Sequence, residues 1–217
     1  TKIIFLPNRN VPIESIHTLD QLEDLAIFCQ KSRCLLVLDE VYYHFNSITA
    51  IPLIDKYENC LVLRSFSKAF GLAGVRVGYV LGQEKNIKYI SKLRGGYETN
   101  RLSEAVVCYF LDNYKIIEDY INAVKLGFVV LKRYLESKKI KYYGGEYSNF
   151  IFIVVENVVL LETLVTTLAC RGFIVRANWL APCDKGFSIT GAPVKVIEQF
   201  ISDFDYIIGN EKIGGGL

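Results

Sequence analysis

Short, almost continuously apolar runs alternate with segments of helical periodicity in the first part of the chain. The runs are Ile3–Leu6, Cys34–Leu38, Cys60–Ser65 and Val75–Leu81. Thr18 is a plausible N-cap for a helix over 19–31 that carries apolar residues at 22, 25, 26 and 29. Strands that are apolar along their whole length are typical of parallel sheets with both faces covered. The pattern therefore predicts an α/β fold with a mainly parallel sheet.

The pattern changes to helices after residue 84, and a smaller unit follows the break at Gly144-Gly145. We expect helices over 85–93, 102–112 and 114–137, and then strand 149–155, helix 159–171, strands 173–176 and 187–190, and helix 194–208. Strands and helices in that order form an α+β unit. The sequence thus predicts a partial large domain over 1–140, which includes the long connecting helix, and a small α+β domain over 141–217.

The composition excludes several functional classes. The chain has 51% hydrophobic residues, a net charge of +2 and interspersed acids and lysines, so it has no basic stripe for nucleic acid. Its apolar runs are too short to cross a bilayer, which predicts a cytoplasmic protein without a membrane partner. The two histidines and six scattered cysteines lack the spacing of metal ligands, so no metal is expected.

Polar side chains follow three of the predicted strands. They are Asn8 and Asn10 after the first strand, Asp39 and Tyr42 after the second, and Ser65, Ser67, Lys68 and Arg76 after the third. The carboxyl ends of parallel strands lie at one edge of the sheet, where ligands collect. An amide, a carboxylate, a phenol, a lysine and an arginine at one edge suit a heteroaromatic phosphate that bonds to an amine. Spacing alone leaves open a solvated lysine in a connecting loop.

Two segments carry a resemblance to a known family. Val37–Tyr42 reads VLDEVY, and Val62–Tyr79 contains Ser-x-Ser-Lys-x-x-x-Leu-x-Gly-x-Arg-x-Gly. These segments resemble the fold-type I enzymes that use pyridoxal 5'-phosphate (PLP), in the branch of histidinol-phosphate aminotransferase and threonine-phosphate decarboxylase. The resemblance covers nearly the whole chain. It implies a PLP-dependent transferase whose large domain lacks its N-terminal part here.

The resemblance also implies a role for each residue at the sheet edge. Lys68 would form a Schiff base with PLP and later move the substrate proton. Asp39 would pair with the ring nitrogen, and Tyr42 and Asn10 would hydrogen-bond the phenolate oxygen. The residues implied for the phosphate are Ser65, Ser67 and Arg76. In the small domain, Asn149 matches an asparagine that lies near the substrate.

Two departures from the family pattern concern the substrate and one loop. Where the family usually has Asn-Pro-x-Asn-Pro-x-Gly, residues 7–13 read PNRNVPI, which keeps Asn10 but loses the turn residues. Where the family has the arginine that grips the substrate carboxylate, this chain has Ser188. Three explanations stay open: a substrate without an α-carboxylate, replacement by Arg176, or loss of ordinary amino-acid turnover.

The resemblance predicts an aminotransferase that exchanges an amino group between a small amino donor and a keto acceptor, with a phosphorylated amino compound as a candidate substrate. A PLP-dependent decarboxylase of a phosphorylated amino acid is one alternative, and an inactive homologue that acts as a binding partner is another. We expect a homodimer, as is usual in this family. The sequence contains no methionine and starts abruptly before its first strand, so we expect either a longer protein or omitted modified methionines.

Overall fold

The computed structural model describes residues 1–45, 48–96 and 98–211. They form two compact units, the first built from residues 1–11 and 15–118 and the second from residues 12–14 and 119 onward. Within the described ranges, no helix is long and apolar enough to cross a membrane.

A four-stranded sheet organises the first unit. Its strands are β1 (Ile3–Pro7), β2 (Leu35–Asp39), β3 (Cys60–Ser65) and β4 (Gly78–Gly82), in that spatial order. Strand β1 is parallel to β2 and β2 is parallel to β3, whereas β4 is antiparallel to β3. The predicted α/β fold with a mainly parallel sheet is confirmed.

Helices α1 (Leu19–Lys31) and α2 (Ile51–Lys56) connect strands of this sheet, and α3 (Glu84–Ser91) and α4 (Arg101–Asp112) follow β4. Helix α1 begins at a capping box in which the Thr18 hydroxyl accepts from the Gln21 N–H and the Gln21 side chain accepts from the Thr18 N–H. Its buried face packs with the sheet in a core that includes Leu22, Ala26, Cys29, Leu36, Leu38, Cys60 and Val62. Helix α2 was not anticipated from the sequence.

The fourth apolar run becomes a strand later than its composition suggests. Residues Ala73–Val75 form a short 3-10 helix, and Arg76 follows with a left-handed backbone at φ 55°. This conformation breaks the extended chain, so β4 begins only at Gly78.

The second unit is an antiparallel sheet with three helices. Helix α5 (Lys115–Ser137) begins at the end of the first unit and continues into the second. The sheet has strands β5 (Tyr142–Gly144), β6 (Phe150–Val154) and β7 (Gly186–Thr190), in that order. The remaining helices are α6 (Val158–Cys170) and α7 (Val194–Glu211). Fully buried side chains of this unit include Leu131, Leu135, Ile151, Phe187, Phe200 and Phe204.

The predicted strand over 173–176 is wrong. Only Arg176 pairs, in an isolated antiparallel bridge with Ser188, because the chain runs irregularly from Phe173 toward β7. Strand β5 was missed, since its three residues are too few to show alternation. The domain boundary near residue 140 stays a prediction.

Candidate functional site

The carboxyl ends of β1, β2 and β3 lie level with one another. The register pairs Pro7 with Asp39, and Asp39 with Leu63. Backbone hydrogen bonds continue past the strands, from Asn8 N to Asp39 O at 3.0 Å and from Glu40 N to Leu63 O at 2.8 Å. The polar residues that follow the three strands therefore meet at one edge, as the sequence predicts.

Asp39, Tyr42 and Lys68 are neighbours at this edge. The Lys68 ammonium lies 5.2 Å from the centroid of the buried Tyr42 ring. The Asp39 carboxylate accepts a hydrogen bond from the Val41 N–H at 3.1 Å. Burial raises the pKa of the Asp39 carboxyl above its usual value, although the Val41 N–H and the Lys68 ammonium oppose the rise. A half-buried carboxylate close to a lysine charge can balance a positive charge on a bound ring.

Ser65, Ser67 and Arg76 lie where the chain leaves β3 and returns to β4. The Ser65 hydroxyl accepts from the Ser67 N–H at 3.0 Å, and the Phe66 N–H donates to Val77 O at 3.2 Å. This pairing brings the backbone next to Arg76 alongside the serines. The exposed Arg76 guanidinium donates to Ala73 O at 2.9 Å. The sequence motif thus becomes one compact turn with hydroxyl and guanidinium donors.

The loop after β1 places its two asparagines differently. The side-chain oxygen of Asn10 accepts from the Ser15 N–H at 2.7 Å, so it holds the loop itself. Asn8 is 1% exposed, and its side-chain oxygen accepts from the His17 N–H at 2.8 Å. Its buried Nδ2 has no hydrogen-bond partner among the described residues. A buried unsatisfied donor is costly, so this Nδ2 is available to an acceptor from a ligand or an ordered water. The sequence showed Asn8 at this edge but did not single it out.

In the same loop, a residue other than glycine adopts a left-handed backbone conformation. Glu14 has φ 60° and is 7% exposed. Its carboxylate accepts from the Glu146 N–H at 3.1 Å, from the Tyr147 N–H at 3.0 Å and from the Ser148 hydroxyl. These three hydrogen bonds within the second unit offset the strain of a left-handed glutamate. The left-handed position is therefore residue 14, one residue beyond the last position of the family's loop pattern.

In the second unit, Ser188 and Arg176 face each other across one bridge. The Arg176 N–H donates to Ser188 O at 3.0 Å, and the Ser188 N–H donates to Arg176 O at 2.8 Å. Residues that exchange both hydrogen bonds in an antiparallel pair project their side chains to the same face. The Arg176 guanidinium lies 3.9 Å from the centroid of the Trp179 ring. Arg176 therefore lies beside Ser188, which stands where the family pattern has its substrate-binding arginine.

Asn149 stands at one end of the same sheet. Its carbonyl accepts from the Gly191 N–H at 2.7 Å, next to the pair of Phe150 with Thr190. The bridge of Ser188 lies at the middle of β7, opposite Phe152. Backbone pairing thus connects Asn149 to the strand that carries Ser188 without placing the two opposite each other.

Sequence reasoning missed the buried pair of Glu40 and Arg64. The Arg64 guanidinium lies 3.0 Å from the Glu40 carboxylate, and both side chains are almost fully buried. A signal was available, because Arg64 interrupts the apolar run of β3 and Glu40 directly follows the strand that ends at Asp39.

Comparison with known proteins decides the family. The model of the family described as aminotransferase class I and II matches residues 1–178. The chain belongs to this family.

Curated relatives in the family support the same branch as the sequence motifs. The histidinol-phosphate aminotransferase of Caldanaerobacter subterraneus subsp. tengcongensis is 33% identical over 180 residues, covering 81% of this chain and 48% of that protein. The enzyme of the same name from Ruminiclostridium cellulolyticum is 35% identical over 182 residues, covering 83% and 49%. The chain therefore spans about half the length of the curated relatives that it matches.

Solved structures show the same fold. Histidinol-phosphate aminotransferase from Sinorhizobium meliloti, in complex with pyridoxal-5'-phosphate, aligns with TM-score 0.83 at 21% identity, covering 96% of this chain and 57% of that chain. L-threonine-O-3-phosphate decarboxylase from Porphyromonas gingivalis aligns with TM-score 0.78 at 16% identity, covering 96% and 65%. The fold-type I architecture implied by the sequence is confirmed.

Proposed function

We propose that the protein containing this chain is a PLP-dependent aminotransferase that uses Lys68 as its reactive amine. The observation that carries the proposal is the meeting of Lys68, Tyr42 and Asp39 at the edge of the parallel sheet. Membership of the class I and II aminotransferase family and the similarity to histidinol-phosphate aminotransferases support it.

The residues at the edge fit the cofactor. PLP has an aldehyde, a ring nitrogen, a phenolate oxygen and a phosphate, and each has a candidate partner of suitable chemistry. The unpartnered Nδ2 of Asn8 is a buried donor at this edge, which suits an acceptor such as the phenolate oxygen. Asp39 would hold the ring nitrogen, and Tyr42 would donate to the phenolate oxygen. The candidates for the phosphate are Ser65, Ser67 and Arg76, and Asn10 remains a proposed second donor to the phenolate.

Bound PLP supplies an electrophilic carbon and a ring that accepts electron density. The protein residues bind, orient and move protons. The Lys68 Nζ provides the amine that retains the cofactor and carries a proton to and from the substrate carbon. The charge of the Asp39 carboxylate would favour a protonated ring nitrogen, and the Arg76 fork would hold the phosphate.

The second unit supports a proposal for the substrate. The exposed Arg176, opposite Ser188 and stacked on Trp179, would bind the anionic group of an amino substrate in place of an arginine at 188. Asn149 and Ser188 would supply further polar contacts. One arginine with a planar face on an indole suits a phosphate or carboxylate, so we propose a phosphorylated amino compound as the amino donor and a small keto acid as the acceptor.

A borohydride experiment tests the cofactor and the amine together. Full-length protein is mixed with PLP, reduced and measured by intact mass and by absorbance. We expect one stable PLP adduct in the wild type and none in Lys68→Ala. Lys92→Ala is the matched control, since the Lys92 ammonium also lies over a tyrosine ring, at 4.8 Å from the Tyr89 centroid, but is exposed. An adduct that survives in Lys68→Ala would contradict the proposal.

A donor screen separates transfer from the alternatives. Wild-type protein with phosphorylated amines and 2-oxoglutarate should form glutamate and a carbonyl product. Release of carbon dioxide without a keto acceptor would instead indicate a decarboxylase. A protein that traps PLP but turns over no donor would indicate a binding role. The homodimer, the cytoplasmic compartment and the domain boundary remain predictions of the sequence.

A further inference from the structure

A buried ion pair joins the strand ends that carry the proposed cofactor residues. The Glu40 carboxylate accepts from Arg64 Nη2 at 3.0 Å and from Arg64 Nε at 3.2 Å. The Glu40 side chain is 0% exposed and the Arg64 side chain 8% exposed. Two nitrogens of one guanidinium on one carboxylate hold both residues in a defined orientation.

Neighbouring groups satisfy the rest of this pair. The Ala50 N–H donates to Glu40 Oε1 at 2.6 Å, and the Thr49 hydroxyl donates to Oε2 at 2.8 Å. Arg64 Nη2 also lies 2.8 Å from the Thr49 hydroxyl oxygen. The guanidinium carbon is 3.4 Å from the centroid of the Tyr43 ring, which forms a cation–π contact. The network therefore combines two charges, three further hydrogen bonds and one aromatic face.

The members of this network are chain neighbours of three proposed cofactor residues. Glu40 follows Asp39, Arg64 precedes Ser65, and Tyr43 follows Tyr42. A rotation of any network member turns the peptide units that it shares with these residues. Arg64 and Ser65 both lie in β3, where successive side chains point to opposite faces, so the buried Arg64 can hold Ser65 toward the other face.

Stability alone is a poor explanation for such a pair. Taking two charges out of water costs several kcal/mol per ion, on the order of what their attraction returns, and well-packed apolar residues often stabilise a core as well. A rigid and directional contact is what the pair provides beyond an apolar substitute.

We propose that Glu40 and Arg64 are positioning residues that orient Asp39, Tyr42 and Ser65 for the cofactor. The proposal rests on the proposed PLP function. The residues themselves touch neither substrate nor cofactor in this role. Their effect reaches the cofactor through the backbone of 39–43 and 64–65.

The test compares Glu40→Gln and Arg64→Lys in the full-length protein. Glu40→Gln keeps the shape but removes the charge, whereas Arg64→Lys keeps the charge but removes the fork and the flat face on Tyr43. Glu23→Gln is the matched control, because the Glu23–Lys56 pair of the same unit has the same N···O distance of 3.0 Å but is partly exposed. PLP affinity is measured by absorbance titration, with circular dichroism to confirm that each apo variant is folded.

We expect Arg64→Lys and Glu40→Gln to weaken PLP binding about tenfold or more, which corresponds to about 1.4 kcal/mol, with the control unchanged. Hydrogen exchange of the apo protein should rise in 39–45 and 63–70 in both variants and not in Glu23→Gln. If Glu40→Gln does not fold, Arg64→Lys decides the result. Folded variants with wild-type PLP affinity overturn this inference alone. Failure of the wild type to bind PLP overturns the proposed function, and this inference with it.

Discussion

The parallel strand ends of the first unit and the bridge on β7 in the second unit assemble their residues in different ways. In the first unit, each residue follows its own strand, and the register brings Asp39 level with its neighbours. In the second unit, Arg176 reaches Ser188 through one isolated bridge at the end of an irregular segment. The positions of side chains that directly follow a strand are set by the pairing of that strand. The position of a side chain held by a single bridge depends instead on the conformation of the irregular segment that leads to it.

Asp39→Asn is the strongest test of the site at the parallel strand ends of the first unit. A neutral amide cannot balance a protonated ring nitrogen, so we expect kcat of the full-length protein to fall about 100- to 1000-fold, the size typical of removing one electrostatic partner from a reacting group. Borohydride trapping on Lys68 should persist and serves as the control for folding and binding. Wild-type kcat in Asp39→Asn would remove Asp39 from the proposed site.

In the second unit, close packing near the end of β7 should be the feature most sensitive to substitution. A Cβ on Gly127 would collide with the backbone oxygen of Ala192, just beyond the end of β7. Because backbone cannot yield as a side chain can, we expect Gly127→Ala to lower the free energy of unfolding by about 3 kcal/mol. Urea denaturation measures the change.

The matched control for that substitution is Gly209→Ala in helix α7. A Cβ there meets no heavy atom within 4 Å. We expect a gain of about 0.5–1 kcal/mol, because alanine favours the helix over glycine. Equal effects of the two substitutions would show that close packing does not hold the end of β7.

Arg176→Ala tests whether the arginine beside Ser188 contacts the substrate. Loss of a hydrogen bond to a charged group costs about 1.5–3 kcal/mol, so we expect KM for an anionic substrate to rise about 10- to 100-fold with a smaller change in kcat. Arg133→Ala, at an exposed position in α5 of the same unit, should leave KM unchanged.

Ser188→Arg sharpens the same point. If the protein merely lacks the usual arginine contact, this variant should increase the use of common α-amino acids. Unchanged use of every amino acid, together with a raised KM in Arg176→Ala, would favour replacement of the missing arginine by Arg176.

The smallest expected effect is a pH dependence of stability from His44 in the first unit. Burial, followed by the charge of Arg64, lowers the pKa of His44 to about 4, and its Nδ1 lies 2.9 Å from the Tyr114 hydroxyl. Between pH 6.5 and about 4 the unfolded chain binds a proton that the folded chain does not, so stability falls as the pH falls through this window. The slope is at most about 1.4 kcal/mol per pH unit, reduced by solvent screening of the partly exposed ring.

Urea titrations of wild type and His44→Gln from pH 7.5 to 4 would measure this contribution. The difference in unfolding free energy between the two proteins should change across the window. A constant difference would show that His44 remains accessible to protons in the folded state.

Much of the first unit follows from local pattern. Apolar runs, the Thr18 cap and the motif around Lys68 determine strand positions, and parallel pairing then requires their polar ends to share an edge. The Ser-x-Ser-Lys motif forms its own turn, since the Ser67 N–H donates to the hydroxyl of Ser65, only two residues earlier in the chain. For these reasons the fold class and the neighbourhood of Lys68 were predictable.

Other features depend on contacts that are distant in sequence. The left-handed Glu14 is held by a turn more than 130 residues away, and no local rule would choose glutamate there. The unpartnered Nδ2 of Asn8, the burial of Glu40 with Arg64, and the bridge that replaces a strand at Arg176 are likewise properties of packing. The sequence by itself thus determined the sheet, because strand positions follow from local periodicity, and its motifs supplied the candidate cofactor residues through their resemblance to a known family. Only the tertiary structure decided which buried groups hold these residues in place, because burial and pairing join segments that no local pattern connects.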